Sequence, residues 1–113
     1  MKAECDLVPP GFERHFRKSP VTDPWEPLFA RQDGSTFSLG LRIAAAHSNA
    51  RGLLHGGVIS ALADNAMGLA CVKQMERSSA LTVSLSVDFL SIGRIGQWLE
   101  VRALPTKLEG LYT

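Results

Sequence analysis

Between residues 81 and 89 apolar and polar side chains alternate without a break. Leu81, Val83, Leu85, Val87 and Phe89 stand against Thr82, Ser84, Ser86 and Asp88. A period of two belongs to a strand with one face on a core, so the pattern predicts a long strand here. The same alternation recurs at Phe37, Leu39, Leu41 and Ile43, separated by Ser38, Gly40 and Arg42. It returns at Leu99, Val101 and Ala103 around Glu100 and Arg102, just before Pro105. Residues 28–31 read as a further strand ending at Gln32-Asp33-Gly34, and Asp-Gly is a strong short hairpin signal. Residues 91–96, with two glycines, turn the chain, and residues 106–113 begin one more strand.

One stretch breaks the period of two. From 56 to about 75 most positions as far as Val72 are apolar or small. That length predicts a helix of roughly 30 Å at about 1.5 Å per residue. Being apolar nearly all round, it is expected to be enclosed on most sides. Near the N-terminus Phe12 and Phe16, four apart after Pro9-Pro10, fit a short helix with one apolar edge. Residues 1–28 then form an N-terminal covering segment whose target the pattern does not show. Strands, one long helix and a meander of strands predict an α+β architecture, with a curved antiparallel sheet wrapped around the central helix. At 113 residues the chain has room for a single domain, 1–113.

Composition narrows the function classes. Apolar residues make up 45% and charged residues 20%, an ordinary globular balance, and the net charge is +1. No single-sign field follows from that, which argues against a nucleic-acid partner. Cys5 and Cys71 sit in unlike settings, so a disulfide framework is not expected and a reducing cytoplasm is the default. The first twenty residues hold no apolar core of a signal peptide. The apolar run 58–72 is too short for a bilayer and Asp64 interrupts it, so no membrane partner is expected. His15, His47 and His55 lack metal-ligand spacing, so neither a metal nor another cofactor is expected.

Asp64 carries the one formal charge between residues 52 and 72. An aspartate costs a helix interior only about 0.5–0.7 kcal/mol in propensity. An unpaired carboxylate removed from water costs several kcal/mol, so Asp64 needs a compensating partner or a wet site. Its neighbours at helical spacing are Gly57, Ser60, Ala61, Met67, Gly68 and Cys71, mostly small, a face that a ligand or second backbone can approach. At the helix start, His55-Gly56-Gly57 lets the backbone turn sharply and present free N–H groups at the positive end of the helix dipole. That is a pocket for an oxyanion. Gly56 and Asp64 are separated by eight residues, roughly 12 Å along the axis at about 1.5 Å per residue. Two copies of the helix side by side would bring the glycine of one to the acid of the other, an arrangement suited to acyl transfer.

The run N-x-x-G-x-L-H-G-G-x-x-x-x-L-x-D-N, from Asn49 to Asn65, resembles the hotdog-fold acyl-CoA thioesterases, nearest to their phenylacetate-degradation and 4-hydroxybenzoyl-CoA type. TVSLSVDFLSIGRIG is similar to that family's long strand and following turn, and the likeness covers roughly residues 37–104. The resemblance implies a hotdog fold and hydrolysis of an aryl or medium-chain acyl-CoA to free acid and CoA. It implies that Asp64 is the general base or nucleophile, that the Gly56 N–H polarises the carbonyl, and that Asn49 helps position water or thioester. His55 and Gly57 would support the loop, and Thr82 would help hold the water. Arg94 and Arg51 are candidates for CoA phosphate contacts. The site would form across the interface of a homodimer or homotetramer. The family's meander continues past this chain's last residues, which implies an open sheet edge, closed by a partner's strand or left with impaired activity.

Other readings stay open at this point. Asp64 also fits a buried ion pair with Arg42 or Arg51, Asn49 a turn residue, and His55 a structural histidine. A non-catalytic acyl-CoA binding or assembly module would keep the same motif. A hotdog dehydratase fits less well, since no second histidine is placed to pair with an acid. Cys71, with no histidine at helical spacing, reads as a small buried residue rather than a nucleophile.

Overall fold

The structure, a computed structural model, describes residues 8–74, 81–82 and 84–106. Cys5, Met75, Val83 and all but the first residue of the strand expected at 106–113 lie outside the described residues. Among the described residues four strands form one antiparallel sheet in the order β1-β2-β3-β4, with β1 at Glu13–Arg14, β2 at Phe29–Asp33, β3 at Thr36–Arg42 and β4 at Trp98–Ala103. The Asp-Gly signal works as expected. Asp33 pairs with Thr36 across a two-residue turn in which Gly34 takes a φ of +62°, a conformation that glycine adopts without a steric penalty.

Register sorts the side chains by face. Phe37, Leu39 and Leu41 of β3 stand opposite Ala103, Val101 and Leu99 of β4, and this face carries the core. Helix α1, Gly56–Gln74, packs on it through Val58, Leu62, Ala66 and Ala70, a stripe with one residue every four. Each leucine buried there, Leu39, Leu41 or Leu62, contributes about 1.5–3 kcal/mol from apolar burial. The result is one long helix on a curved four-stranded antiparallel sheet, the expected α+β class. Among the described residues no helix is long and apolar enough to cross a membrane.

Four expectations are corrected. The short helix around Phe12 and Phe16 is absent: Glu13 and Arg14 pair with Ala30 and Phe29, and the His15 N–H donates to the Leu28 carbonyl at 2.8 Å. A ladder of tertiary hydrogen bonds outweighs a weak local helix signal, leaving Phe12 buried and Phe16 exposed. Phe12 packs edge-on against Trp98 at 5.2 Å between centroids, so the covering segment shields the sheet's outer face. For that reason β3 is buried on both faces, not one, down to Ser38 and Gly40.

The helix is enclosed along one stripe rather than on most sides, because the sheet covers only one flank. The fourth correction concerns the long alternating segment. Its described residues, 81–82 and 84–90, join no ladder, and Leu81 is 93% exposed and Phe89 56%. They run beside α1, with Thr82 at Asp64 and Phe89 at Gly56. A strand needs neighbouring backbone groups to pair with, and a helix interior has already used its own. Alternation encodes which side chains share a face; it does not supply a partner.

Candidate active site

The start of α1 is built by the loop before it. Asn49 Oδ1 accepts the N–H groups of Arg51 at 2.9 Å and Leu53 at 3.1 Å, while the Asn49 N–H donates to the Leu53 carbonyl at 2.7 Å. Gly52, at φ +75°, closes the turn by donating to the Asn49 carbonyl. The Leu54 N–H then donates to Gly93 at 2.9 Å and the His55 N–H to the His47 carbonyl at 2.8 Å. His47 is itself buried and fixed, with Nδ1 accepting from the Ala44 N–H and Nε2 donating to the Trp25 carbonyl, each at 2.9 Å. Asparagine at 49 satisfies its own loop, and that loop aims residue 55.

His55 occupies the N-cap position. Its Nδ1 accepts the Gly57 N–H at 2.7 Å, so the ring is neutral with its proton on Nε2. A side chain satisfies one of the helix's first donors, and the His55 carbonyl accepts from Val58 and Ile59. The Gly56 N–H has no acceptor among the described residues. It stands at the positive end of a 19-residue helix, where a developing negative charge is stabilised. Thus Gly56 and Gly57 divide the work, one amide left available and the other capped.

Asp64 lies two turns further along, half-buried, and its Oδ1 accepts the hydroxyl of Thr82. The ion-pair alternative finds no support among the described residues. Arg51 is exposed, and Arg42 lies over the Trp98 ring at 5.4 Å and donates to the Gly96 carbonyl. Beside Asp64 the helix face is open: a Cβ on Gly68 would meet nothing within 4 Å, and Met67 is 43% exposed. Arg94 bridges to Leu53 and, like Arg51, is exposed near the helix start.

The structure therefore gathers Asn49, His55, Gly56, Gly57, Arg51 and Arg94 at one end of α1, and Asp64 with Thr82 at its middle. It does not bring Gly56 and Asp64 of one chain together. The eight-residue step along the helix is about 12 Å, too far for one carbonyl to touch both. Sequence reasoning missed Phe89, whose ring lies on Gly56. The period of two assigned it to a core face, and no local signal links residue 89 to residue 56. A cavity of about 340 Å³ between the N-terminal residues and the far end of α1 is lined by Phe16, Arg17, Phe37, Leu69, Val72 and Lys73, among others, and by none of the expected site residues. Among the described residues no group of three His, Cys, Asp or Glu is placed to hold a metal ion.

Comparison with known proteins bears on the same residues. Residues 51–111 match the family described as the Thioesterase superfamily. A Pseudomonas aeruginosa protein named "Putative esterase PA0474" is 42% identical over 103 residues, covering 89% of this chain and 77% of that protein.

Proposed function

The chain belongs to the thioesterase superfamily, with that family's hotdog fold, and on this premise we propose that it hydrolyses an acyl-CoA thioester to the free acid and CoA. The observation that carries the reading is the Gly56 N–H, which has no acceptor among the described residues at the positive end of α1 while His55 caps its neighbour. The thioester carbonyl rests on that donor. As the carbonyl carbon becomes tetrahedral, charge builds on its oxygen, where the amide and the helix dipole stabilise it. Asp64 drives the attack, either adding its carboxylate to the carbonyl carbon or taking a proton from the attacking water. The C–S bond then breaks and CoA leaves as its thiolate, which takes up a proton originating in the attacking water. Where the carboxylate itself added, water then hydrolyses the mixed anhydride, releasing the free acid and restoring Asp64. Thr82 donates to Asp64 Oδ1 and so restrains the carboxylate's rotation.

The distance between the two groups gives the proposal its second part. Gly56 of one copy and Asp64 of another act together in a homodimer or homotetramer, and the open, small-residue face beside Asp64 is where the second copy comes close. Exposed Arg51 and Arg94 at the helix start are suited to the phosphates of CoA. A cytoplasmic setting is part of the same proposal.

Release of free thiol from a panel of aryl- and alkyl-CoA esters tests it, with the wild-type chain and Asp64→Ala compared at matched folding. Loss of two or more orders of magnitude, about 3 kcal/mol or more of transition-state stabilisation, is expected. Activity that survives the substitution removes Asp64 as the catalyst. Acyl-CoA bound but turned over by neither form would instead identify a binding module. Mixing Asp64→Ala chains with Gly56→Pro chains, the latter lacking the donor at a position where proline suits a helix, restores activity only if the site is shared between copies.

A further inference from the structure

Phe89 stands out because its contact is with the proposed oxyanion donor. A Cβ on Gly56 would stand 3.2 Å from Phe89 Cε1, 3.3 Å from Cζ and 3.8 Å from Cδ1, so the ring occupies the side of the glycine from which a side chain would project. The ring is 56% exposed, and apolar burial is therefore a small part of what it does. The neighbouring peptide is fixed from the other side as well. The His55 N–H is held by the His47 carbonyl, and the His55 ring is held by the Gly57 N–H. Glycine has the widest choice of backbone angles, and a donor that swings must be reoriented at the moment charge develops. With His55 anchored before it and an aromatic ring on the side where a Cβ would project, the peptide carrying the Gly56 N–H has less room to swing. The segment that carries Phe89 is itself registered on the helix by the Thr82 hydroxyl at Asp64. Within one copy this stretch thus touches Gly56, which serves one shared site, and Asp64, which serves the other.

We propose that Phe89 is a positioning residue that orients the Gly56 amide toward the substrate carbonyl; this rests on the thioesterase reading above. Complete loss of such a donor costs about 10²–10³-fold in kcat, and a donor that is merely loosened loses less. Phe89→Ala and Phe89→Leu are therefore expected to lower kcat for acyl-CoA hydrolysis by about tenfold, with KM changed by less than about twofold, because ground-state binding does not depend on the donor's exact direction. Phe89→Tyr keeps the ring and is expected to recover most of the rate. A residue that only supported folding would move kcat and KM together with thermal stability and would not be rescued selectively.

An amide spectrum gives a readout independent of turnover. Ring current from Phe89 shifts the Gly56 amide proton, and that shift is expected to persist in Phe89→Tyr and vanish in Phe89→Leu, while the His47 and Leu62 amides stay in place. Should the wild type turn over no thioester, the thioesterase reading fails, and the amide shift still decides whether Phe89 holds Gly56. An unchanged kcat in folded Phe89→Ala, or a Gly56 resonance indifferent to the ring, overturns the proposal.

Discussion

Gly40→Ala probes the outer face of the sheet at its tightest point. A Cβ on Gly40 would stand 2.3 Å from Cζ2 of Trp98, 2.9 Å from Cε2 and 3.0 Å from Cη2. Carbon atoms pack comfortably at about 3.5–4.0 Å, so the indole must move by more than about 1 Å. It cannot do so without loss. Its ring meets Phe12 at 5.2 Å and Phe29 at 5.9 Å, the Arg42 guanidinium lies over it at 5.4 Å, and its N–H donates to Glu100. Aromatic pairs contribute about 0.5–1.5 kcal/mol each and a cation over a ring about 0.5–1 kcal/mol. Alanine returns about 0.4–1 kcal/mol by restricting the unfolded chain.

The expected net cost is about 2–3 kcal/mol, in line with the range for overpacked sites. For a domain of this size that lowers Tm by roughly 10–20 °C. Urea unfolding followed by far-UV circular dichroism measures it directly. The decisive arm is the double variant with Trp98→Leu, where the added methyl has room and its cost shrinks, leaving a coupling of at least about 1 kcal/mol. A Gly40→Ala cost below about 0.5 kcal/mol, or strict additivity with Trp98→Leu, refutes the reasoning.

Two further outcomes follow from the histidines. His15 is 3% exposed and neither ring nitrogen has a hydrogen-bond partner among the described residues; burial lowers its pKa below 6.5, Glu26 opposes that and Arg17 adds to it. The folded chain then binds fewer protons than the unfolded one, so this stability is fully present above pH 6.5 and is lost as pH falls from there toward the depressed folded value. As pH falls below 6.5 the wild type is expected to lose stability relative to His15→Leu in parallel urea titrations, by no more than the about 1.4 kcal/mol per pH unit that one proton allows, and coincident pH profiles would reject the assignment. His55→Ala removes the acceptor for the Gly57 N–H and is expected to cost about 1 kcal/mol in thermal unfolding, together with a fall in thiol release. His55→Asn, a good N-cap residue, is expected to restore both, and failure of that rescue would show that the cap is not what His55 supplies.

Much of the site was legible because its parts are local. His55-Gly56-Gly57 before an apolar run marks a helix start by the chemistry of three adjacent residues, and the structure builds there a cap and a spare amide. Asp64 was conspicuous because a charge in an apolar helix demands a reason within reach, and the hydroxyl of Thr82 is what the fold brings to it. Asn49 was legible as part of the loop. That its oxygen is occupied by Arg51 and Leu53 depends on the loop's closed shape. Phe89 on Gly56 joins positions 33 apart in the chain, and no periodicity reports such a contact.

By itself, then, the sequence determined the helix, the Asp-Gly hairpin and the core faces of β3 and β4, since these depend on period, turn chemistry and burial within a few residues. Tertiary structure decided everything that needs a partner distant in the chain. The residues around Phe12 became an edge strand because β2 offered them backbone groups to pair with. The described residues of the best alternating segment, 81–82 and 84–89, join no strand, because their neighbour is a helix whose backbone hydrogen bonds are already made. A side-chain pattern is written one residue at a time, but a hydrogen-bonded ladder and a shared contact exist only where the fold brings two stretches of chain together.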